Sequence, residues 1–281
     1  MLCARRCSIN QLDLSFAAIG GRTGIAHRYV SYPFHVTSAL RNVGPDAQVI
    51  VQSVSGGFFG GEVLGQRIAV GAGGQATVSF PSAAVVHAQG AKDAPRQSVL
   101  LHAEAGATLA YLPRPLILFP GGALIQAMDI TVAEGSAVMM RDGVLMHDPH
   151  GMAAADRRLD SRITVRRASG HIIALDRMQV TDGLIAAATP GVTHGFRAFG
   201  SVWLIRQMDV PALKAAVAEA FAHEDACYVS TTALRDDGGA LIRVAARDGG
   251  DLEVAMDAIH RIVVDPSTGE TPQGARYRDQ P

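Results

Sequence analysis

Two short segments concentrate the side chains that could do chemistry. His147-Asp148-Pro149-His150 sets two imidazoles and a carboxylate within four residues. Nitrogen and oxygen donors of this kind suit Ni²⁺ or Zn²⁺. A structural site wants four ligands steadied by an outer shell, whereas a site that only passes an ion needs fewer. The same four residues also read as a polar turn beside a strand end. The second segment, Ser55-Gly56-Gly57-Phe58-Phe59-Gly60-Gly61-Glu62, is the most glycine-dense stretch of the chain. Glu62 there is either a solvated carboxylate or one held at a glycine-lined opening, where backbone can come close to a passing cation. His87, after Val85-Val86, has the setting of a core or turn histidine.

Other chemistries fail on spacing. Gly56 and Gly61 stand at the G-x-x-x-x-G distance of a phosphate loop, but the next residue is Glu62 where a lysine must reach the phosphates. A strand follows, not a helix whose N-terminus could cradle an anion. Gly71-x-Gly73-x-x-Ala76 runs into strand-like Thr77-Val78-Ser79-Phe80, so it cannot open a dinucleotide-binding helix. The chain holds no G-x-S-x-G elbow, no H-E-x-x-H and no Cys-x-x-Cys pair.

Composition narrows the classes further. The 281 residues carry 25 Lys+Arg against 26 Asp+Glu, so no net field favours nucleic acid. An apolar fraction of 48% excludes a disordered chain. Three cysteines in a chain this long exclude a disulfide scaffold. One Trp and 5% aromatic residues argue against stacking on sugars. Charged residues make up 18%, against about a quarter in a typical soluble chain. Only Lys92 and Lys214 are lysines. Codon usage accounts for Arg over Lys. The shortage of total charge reads as surface covered by partners, because interface cores are depleted of charge. Ile68 to Ala91 lacks Asp, Glu, Lys and Arg, but its glycines, Pro81, Gln75, Gln89 and His87 exclude a membrane span. The N-terminal Arg pair is followed by no apolar h-region, which points to the cytoplasm.

The elements that must position these residues are mostly strands. Period-2 patterns predict them at 27–36, 47–55, 63–70, 75–80, 98–104, 107–111, 115–119, 123–133, 136–141, 161–168, 171–180 and 201–208. A weak repeat runs through RIAVGAGGQATVSF, VLLHAEAGATLAYL, DITVAEGSAVMM and TVRRASGHIIAL. Its glycines, Gly74, Gly106, Gly135 and Gly170, are 32, 29 and 35 residues apart. Each unit reads as strand, turn, strand: a hairpin with Gly at a positive-φ position. Such hairpins need a second layer, as stacked antiparallel sheets or a β-helix-like pile. Asp209-Val210-Pro211 opens one late helix, and Asp251 to Val264 has the apolar spacing of another. Between them Asp236-Asp237-Gly238-Gly239 marks a hairpin turn. The expected fold is mainly β, one domain over 1–281 with two C-terminal helices, a frayed tail at 1–15 and a loose tail at 265–281.

The order of several motifs resembles the urease accessory protein family UreD, also called UreH. Gly21-Arg22-Thr23 matches that family's GRT, and Gly56 to Glu62 its GG-x-x-GGD, with Glu for the family's Asp. Leu109-Ala110-Tyr111-Leu112-Pro113-Arg114-Pro115-Leu116-Ile117-Leu118-Phe119-Pro120-Gly121-Gly122 is similar to its L-x-[WY]-L-P-x-x-x-I-x-F-x-G stretch. Ser31 to His35 and His147-Asp148-Pro149 resemble a proteobacterial subgroup. The family's T-x-A-T-K-x-Y-R appears as Pro81 to Ala88, without its Lys and its Tyr-Arg pair.

The resemblance implies a protein that is not an enzyme. It would bind apo-urease, recruit UreF-type and UreG-type proteins, and help deliver Ni²⁺ to the urease active site, where a lysine is carbamylated. No cofactor would be tightly bound, and Ni²⁺ would be transient. Neither nucleic acid nor membrane is an expected partner, and dimerisation through the accessory complex is left open. Carried over residue by residue, Gly60, Gly61 and Glu62 match the motif near the family's nickel route. Arg22, Thr23, Tyr111, Leu112 and Pro113 match motifs read as structural or interfacial. His87, His147, Asp148 and His150 are candidate transient metal ligands. The competing reading is a metal-dependent hydrolase on a β-rich scaffold using His147, Asp148 and His150. It would need tight metal retention and a concave pocket.

Overall fold

Alternation at the start of the chain puts Leu12, Leu14 and Phe16 on one face, and all three are buried. They belong to β1 (Leu12–Ile19), which turns through Gly20 and Gly21 into antiparallel β2 (Arg22–Val30). The tail expected at 1–15 therefore does not extend that far: residues 12–15 are core strand. The computed structural model describes residues 10–37, 45–148 and 156–264. The expected loose segment 265–281 lies outside the described residues.

After β3 (Phe34–Val36) the chain winds as a solenoid. One turn comprises β4 (Ala47–Ser53), the short β5 (Gly57–Phe58) and β6 (Val63–Val70). The next comprises β7 (Gln75–Ser79), β8 (Val85–Val86) and β9 (Arg96–Ala103). A third comprises β10 (Thr108–Leu112), β11 (Leu116–Leu118) and β12 (Ala123–Val132). The long β13 (Ala137–Met146) then serves two sides at once before β14 (Arg158–Arg167) and β15 (Ile172–Thr181). Sheet one has the order β15-β14-β12-β9-β6-β1-β2.

The register explains the weak repeat. Val63 faces Arg96, Arg96 faces Ile125 and Ala123 faces Arg158, offsets of 33, 29 and 35 residues that are the lengths of successive turns. The fold is mainly β with the expected β-helix-like stacking, and the structure differs in how each unit is made. β6 pairs with β9, and β7 with β10, all in parallel. The units at Gly74, Gly106 and Gly135 are therefore arches from one sheet to the other, not hairpins. Only the unit at Gly170 is a true antiparallel hairpin, joining β14 to β15. At the arches the left-handed residue is Gly73, Gly106 or Gly135, with φ of 66°, 65° and 67°. The local sequence does not tell an arch from a hairpin, because both need strand, positive φ and strand.

After α1 (Asp182–Ala187) come β16 (Ala198–Ile205), α2 (Val210–Ala220), β17 (Cys227–Ala233), β18 (Ala240–Ala246) and α3 (Gly249–Val264). Sheet two then runs β17-β18-β16-β13-β10-β7-β4-β3. Asp209 caps α2 by accepting from the Ala212 N–H at 3.0 Å, with Pro211 in the first turn. Asp248 accepts from the Asp251 N–H at the start of α3. The hairpin between the two helices turns on Asp236 and Asp237, both left-handed.

Three apolar layers result. Ile68, Leu101, Leu109, Ile130 and Trp203 fill the space between the sheets. Leu252, Met256 and Ile259 of α3 pack on Val202, Leu204 and Ile242, so sheet two is covered on both faces. Burial of one such side chain contributes about 1.5–3 kcal/mol. The third layer lies behind the short strands, where Phe58, Val86, Leu118 and Met146 stand at matching positions of successive turns. Among the described residues no helix is long and apolar enough to cross a membrane.

Candidate functional site

The solenoid is not filled throughout. A cavity of about 470 Å³ opens between the two sheets and the short strands. Its more exposed lining, taken as the mouth, includes Gly56, Ser82, Pro113 and Arg114, and its buried lining includes Gly57, Gln66, Gln97, Tyr111, Gln126 and Asp142. These polar groups are buried. Gln126 Nε2 donates to Asp142 Oδ1 at 3.2 Å and to Ser161 Oγ at 3.1 Å. The Tyr111 hydroxyl donates to Gln66 Oε1 at 3.0 Å. Gln97 Oε1 is buried without a hydrogen-bond partner, an acceptor that a guest could satisfy.

Register places these groups. Gln97 faces Gln126, and Gln126 faces Ser161, so one inward position of sheet one stays polar through three turns. Asp142 comes from the opposite sheet, on β13. Burial pushes its carboxyl up, against hydrogen bonds from Gln126 and the Gly143 N–H that favour the charged form. Burial also raises the Tyr111 phenol, and a charge on Asp142 raises it further. The lining is thus mostly dipolar, with amides, one phenol and one reluctant carboxyl, and it carries one cation, the Arg114 guanidinium. Such walls can hold a small hydrated cation weakly at several points, and weak sites let an ion leave.

The residues singled out in the sequence fall in four places. Tyr111 and Pro113 line the cavity, and Leu112 ends β10 between them. Thr23 is structural: its Oγ1 accepts from the Gln75 N–H at 2.9 Å, pinning an arch to β2. Arg22 is exposed at the start of β2.

Glu62 closes its own turn. Its Oε2 accepts from the Phe59 N–H at 2.9 Å, and its N–H donates to the Phe59 carbonyl. Gly61 has φ +83°, and a Cβ on Gly60 would stand 2.9 Å from the Lys92 Cβ. Those glycines let the turn nest against the next turn of the solenoid. Gly60, Gly61 and Glu62 are not among the residues that line the cavity; Gly56 and Gly57 of the same loop are.

The histidines fall on an outer column. Phe59, His87, Phe119 and His147 each follow one short-strand position. His87 lies flat on Phe59 with ring centroids 4.4 Å apart and planes 6° apart. Phe119 meets His87 at 6.1 Å and His147 at 5.4 Å. A phenyl ring therefore stands between the two imidazoles. They are two strand spacings, about 10 Å, apart, so they cannot bind the same ion at bond lengths of about 2.1 Å. Asp148 follows His147 at the end of the column, and His150 lies outside the described residues. Among the described residues no three His, Cys, Asp or Glu side chains gather as metal ligands.

Sequence reading missed Gln66, Gln97, Gln126 and Asp142. The readable signal was a glutamine recurring at the solenoid offset, together with Arg141-Asp142 inside an otherwise apolar run from Ala137 to Met146.

Comparison with known proteins covers nearly the whole chain. The model of the UreD family, described as "UreD urease accessory protein", matches residues 9–279. "Urease accessory protein UreD 2" of Bradyrhizobium sp. (strain ORS 278) is 37% identical over 258 residues, 90% of this chain and 88% of the relative. "Urease accessory protein UreD 1" of Methylorubrum extorquens (strain PA1) is 34% identical over 265 residues, 93% of this chain and 90% of the relative. "Urease accessory protein UreD 1" of Pseudomonas syringae pv. syringae (strain B728a) is 32% identical, covering 92% of each chain.

Proposed function

The chain belongs to the UreD family of urease accessory proteins, and from that premise we propose that it is a non-enzymatic scaffold of urease maturation in the cytoplasm. In this reading it binds apo-urease and a UreF/UreG-type complex, and nickel crosses it on the way to the urease active site. Nickel is cargo here, not a resident cofactor. The observation that carries the role is the match to accessory proteins along nearly the full length.

Within that role the interior cavity is the best candidate for the ion's path. Its walls offer amide and phenol oxygens and the Asp142 carboxyl, and among the described residues no three His, Cys, Asp or Glu side chains converge that would trap a cation. Glu62 acts beside the path by closing the turn that follows Gly56 and Gly57, two residues of the cavity lining.

Co-expression tests the role. The chain with a UreF-type partner is expected to co-elute on size exclusion, and the chain without it to be poorly soluble. A chain that stays monomeric and soluble alone and ignores the partner would sink the proposal. For the path, Asp142→Asn is expected to leave co-elution intact and to lower nickel per urease active site. Nickel loading equal to the parent would remove the cavity from the path.

A further inference from the structure

Two arginines join the cavity to the outer helix α3. Arg114, just after β10, lines the cavity, yet its guanidinium pairs with Glu253 of α3 and stands 3.9 Å from Asp257. Arg141 is 7% exposed, pairs with Asp257 at 2.8 Å and lies 3.7 Å from Glu253. Two carboxylates one helical turn apart thus answer two guanidiniums. Among the described residues lining the cavity, Arg114 is the only base and Asp142 the only acid.

A guanidinium does not lose its proton near neutral pH. Its charge at the mouth can only be offset by a partner. Left alone, it would raise the potential inside a cavity whose walls screen poorly, and a divalent cation would feel that potential twice over. Glu253 both offsets this charge and draws the head group toward α3. The two acids are not equivalent. Asp257 holds Arg141 at 2.8 Å, whereas Arg114 depends on Glu253.

We propose that Glu253 is a positioning residue for cation passage: by pairing with Arg114 it keeps positive charge from closing the cavity mouth to a divalent ion. This rests on the reading that the cavity is the path. It ties the path to α3, so a partner that shifts α3 would change cation entry without touching the cavity.

Glu253→Gln tests the inference, because it keeps the side-chain shape and leaves the Asp257–Arg141 pair in place. The full chain is co-expressed with urease and its accessory partners. Nickel per active site is measured on purified urease, and the accessory complex is melted thermally. E253Q is expected to lower nickel content about tenfold, and the double variant E253Q/R114Q to return it to within about twofold of the parent. A merely structural ion pair predicts nickel content that follows the melting temperature across the single and double variants, since an uncompensated guanidinium also destabilises the fold, whereas the proposal predicts low nickel in E253Q at near-parent stability. Unchanged nickel in E253Q, or a double variant as poorly loaded as E253Q, overturns the proposal. D142N separates the two failures. Parent-like nickel in D142N overturns the cavity reading and this inference with it. Low nickel in D142N beside normal nickel in E253Q overturns this inference alone.

Discussion

Arg141 and Asp142 are consecutive on β13, and their side chains leave sheet two on opposite faces. Arg141 reaches the acidic pair on α3, and Asp142 enters the cavity to accept from Gln126. The alternation of a strand makes this unavoidable. The consequence is that one dipeptide ties the outer helix to the inner site.

Asp142 gives a stability prediction with a definite sign. Its carboxyl is raised by burial from 3.8, so the folded state binds a proton more readily than the unfolded chain. Its contribution to stability is full below pH about 4 and is lost as pH rises through the folded value. D142N is therefore expected to melt higher than the parent at pH 8 and to gain less at pH 5. Thermal melts at the two values check it, and an equal difference at both would contradict it.

His260 works in the opposite direction. Burial, with Arg141 beside it, lowers its pKa from 6.5, while Asp257 opposes that shift. Its contribution is present above pH about 6.5 and is lost as pH falls and the buried ring must charge. His260→Gln is expected to flatten the loss of stability between pH 7.5 and pH 5.5, read in urea titrations. A parent-like slope would show that the ring does not titrate with unfolding.

Gly57 and Gly61 belong to one loop and tolerate change differently. A Cβ on Gly57 would stand 2.0 Å from the Val85 carbonyl oxygen, so the short strands must part. Gly57→Ala is expected to cost about 3–5 kcal/mol. A Cβ on Gly61 meets nothing within 4 Å, and only its φ of +83° resists. Gly61→Ala is expected to cost about 1–2 kcal/mol. Denaturant midpoints rank the two, and the reverse order would refute the packing argument.

Glu62 separates a turn-closing role from a charge role. Glu62→Ala removes the acceptor for the Phe59 N–H and is expected to cost about 1 kcal/mol. Glu62→Gln keeps an acceptor oxygen, so nickel loading of urease is expected to follow stability across the two variants. If Glu62→Gln melts like the parent but loads poorly, the charge itself serves the ion.

His87 is tested through its stack on Phe59. His87→Phe keeps a ring in the column, whereas His87→Ala is expected to lose about 0.5–1.5 kcal/mol. A metal role shows as low nickel loading in His87→Phe at parent-like stability. Parent-like loading would leave the ring a packing element.

Legibility followed the range of the interactions. The strands at 63–70 and 123–132, the cap Asp209 with Pro211, and the turn at Asp236-Asp237 were readable because each depends on neighbours in the chain. β1 was missed because its alternation is short and sits beside a polar start, while its parallel partner β6 and the core that buries it come from far along the chain. The arches were read as hairpins because a positive-φ glycine does not say which strand its neighbour pairs with.

The sequence by itself determined the β content, the repeat length, the two late helices and the family. Local patterning and motif order carry these without any long-range contact. Tertiary structure decided the rest. It stacked Gln97 on Gln126 and set Asp142 opposite them, because only the parallel register brings residues about thirty positions apart to one level. It also set His87 and His147 on an outer column and gave Glu62 to its own turn. The cavity, lined by amides, a phenol, the Asp142 carboxyl and the Arg114 guanidinium, was not legible in the sequence, because where a side chain points depends on the register of distant strands.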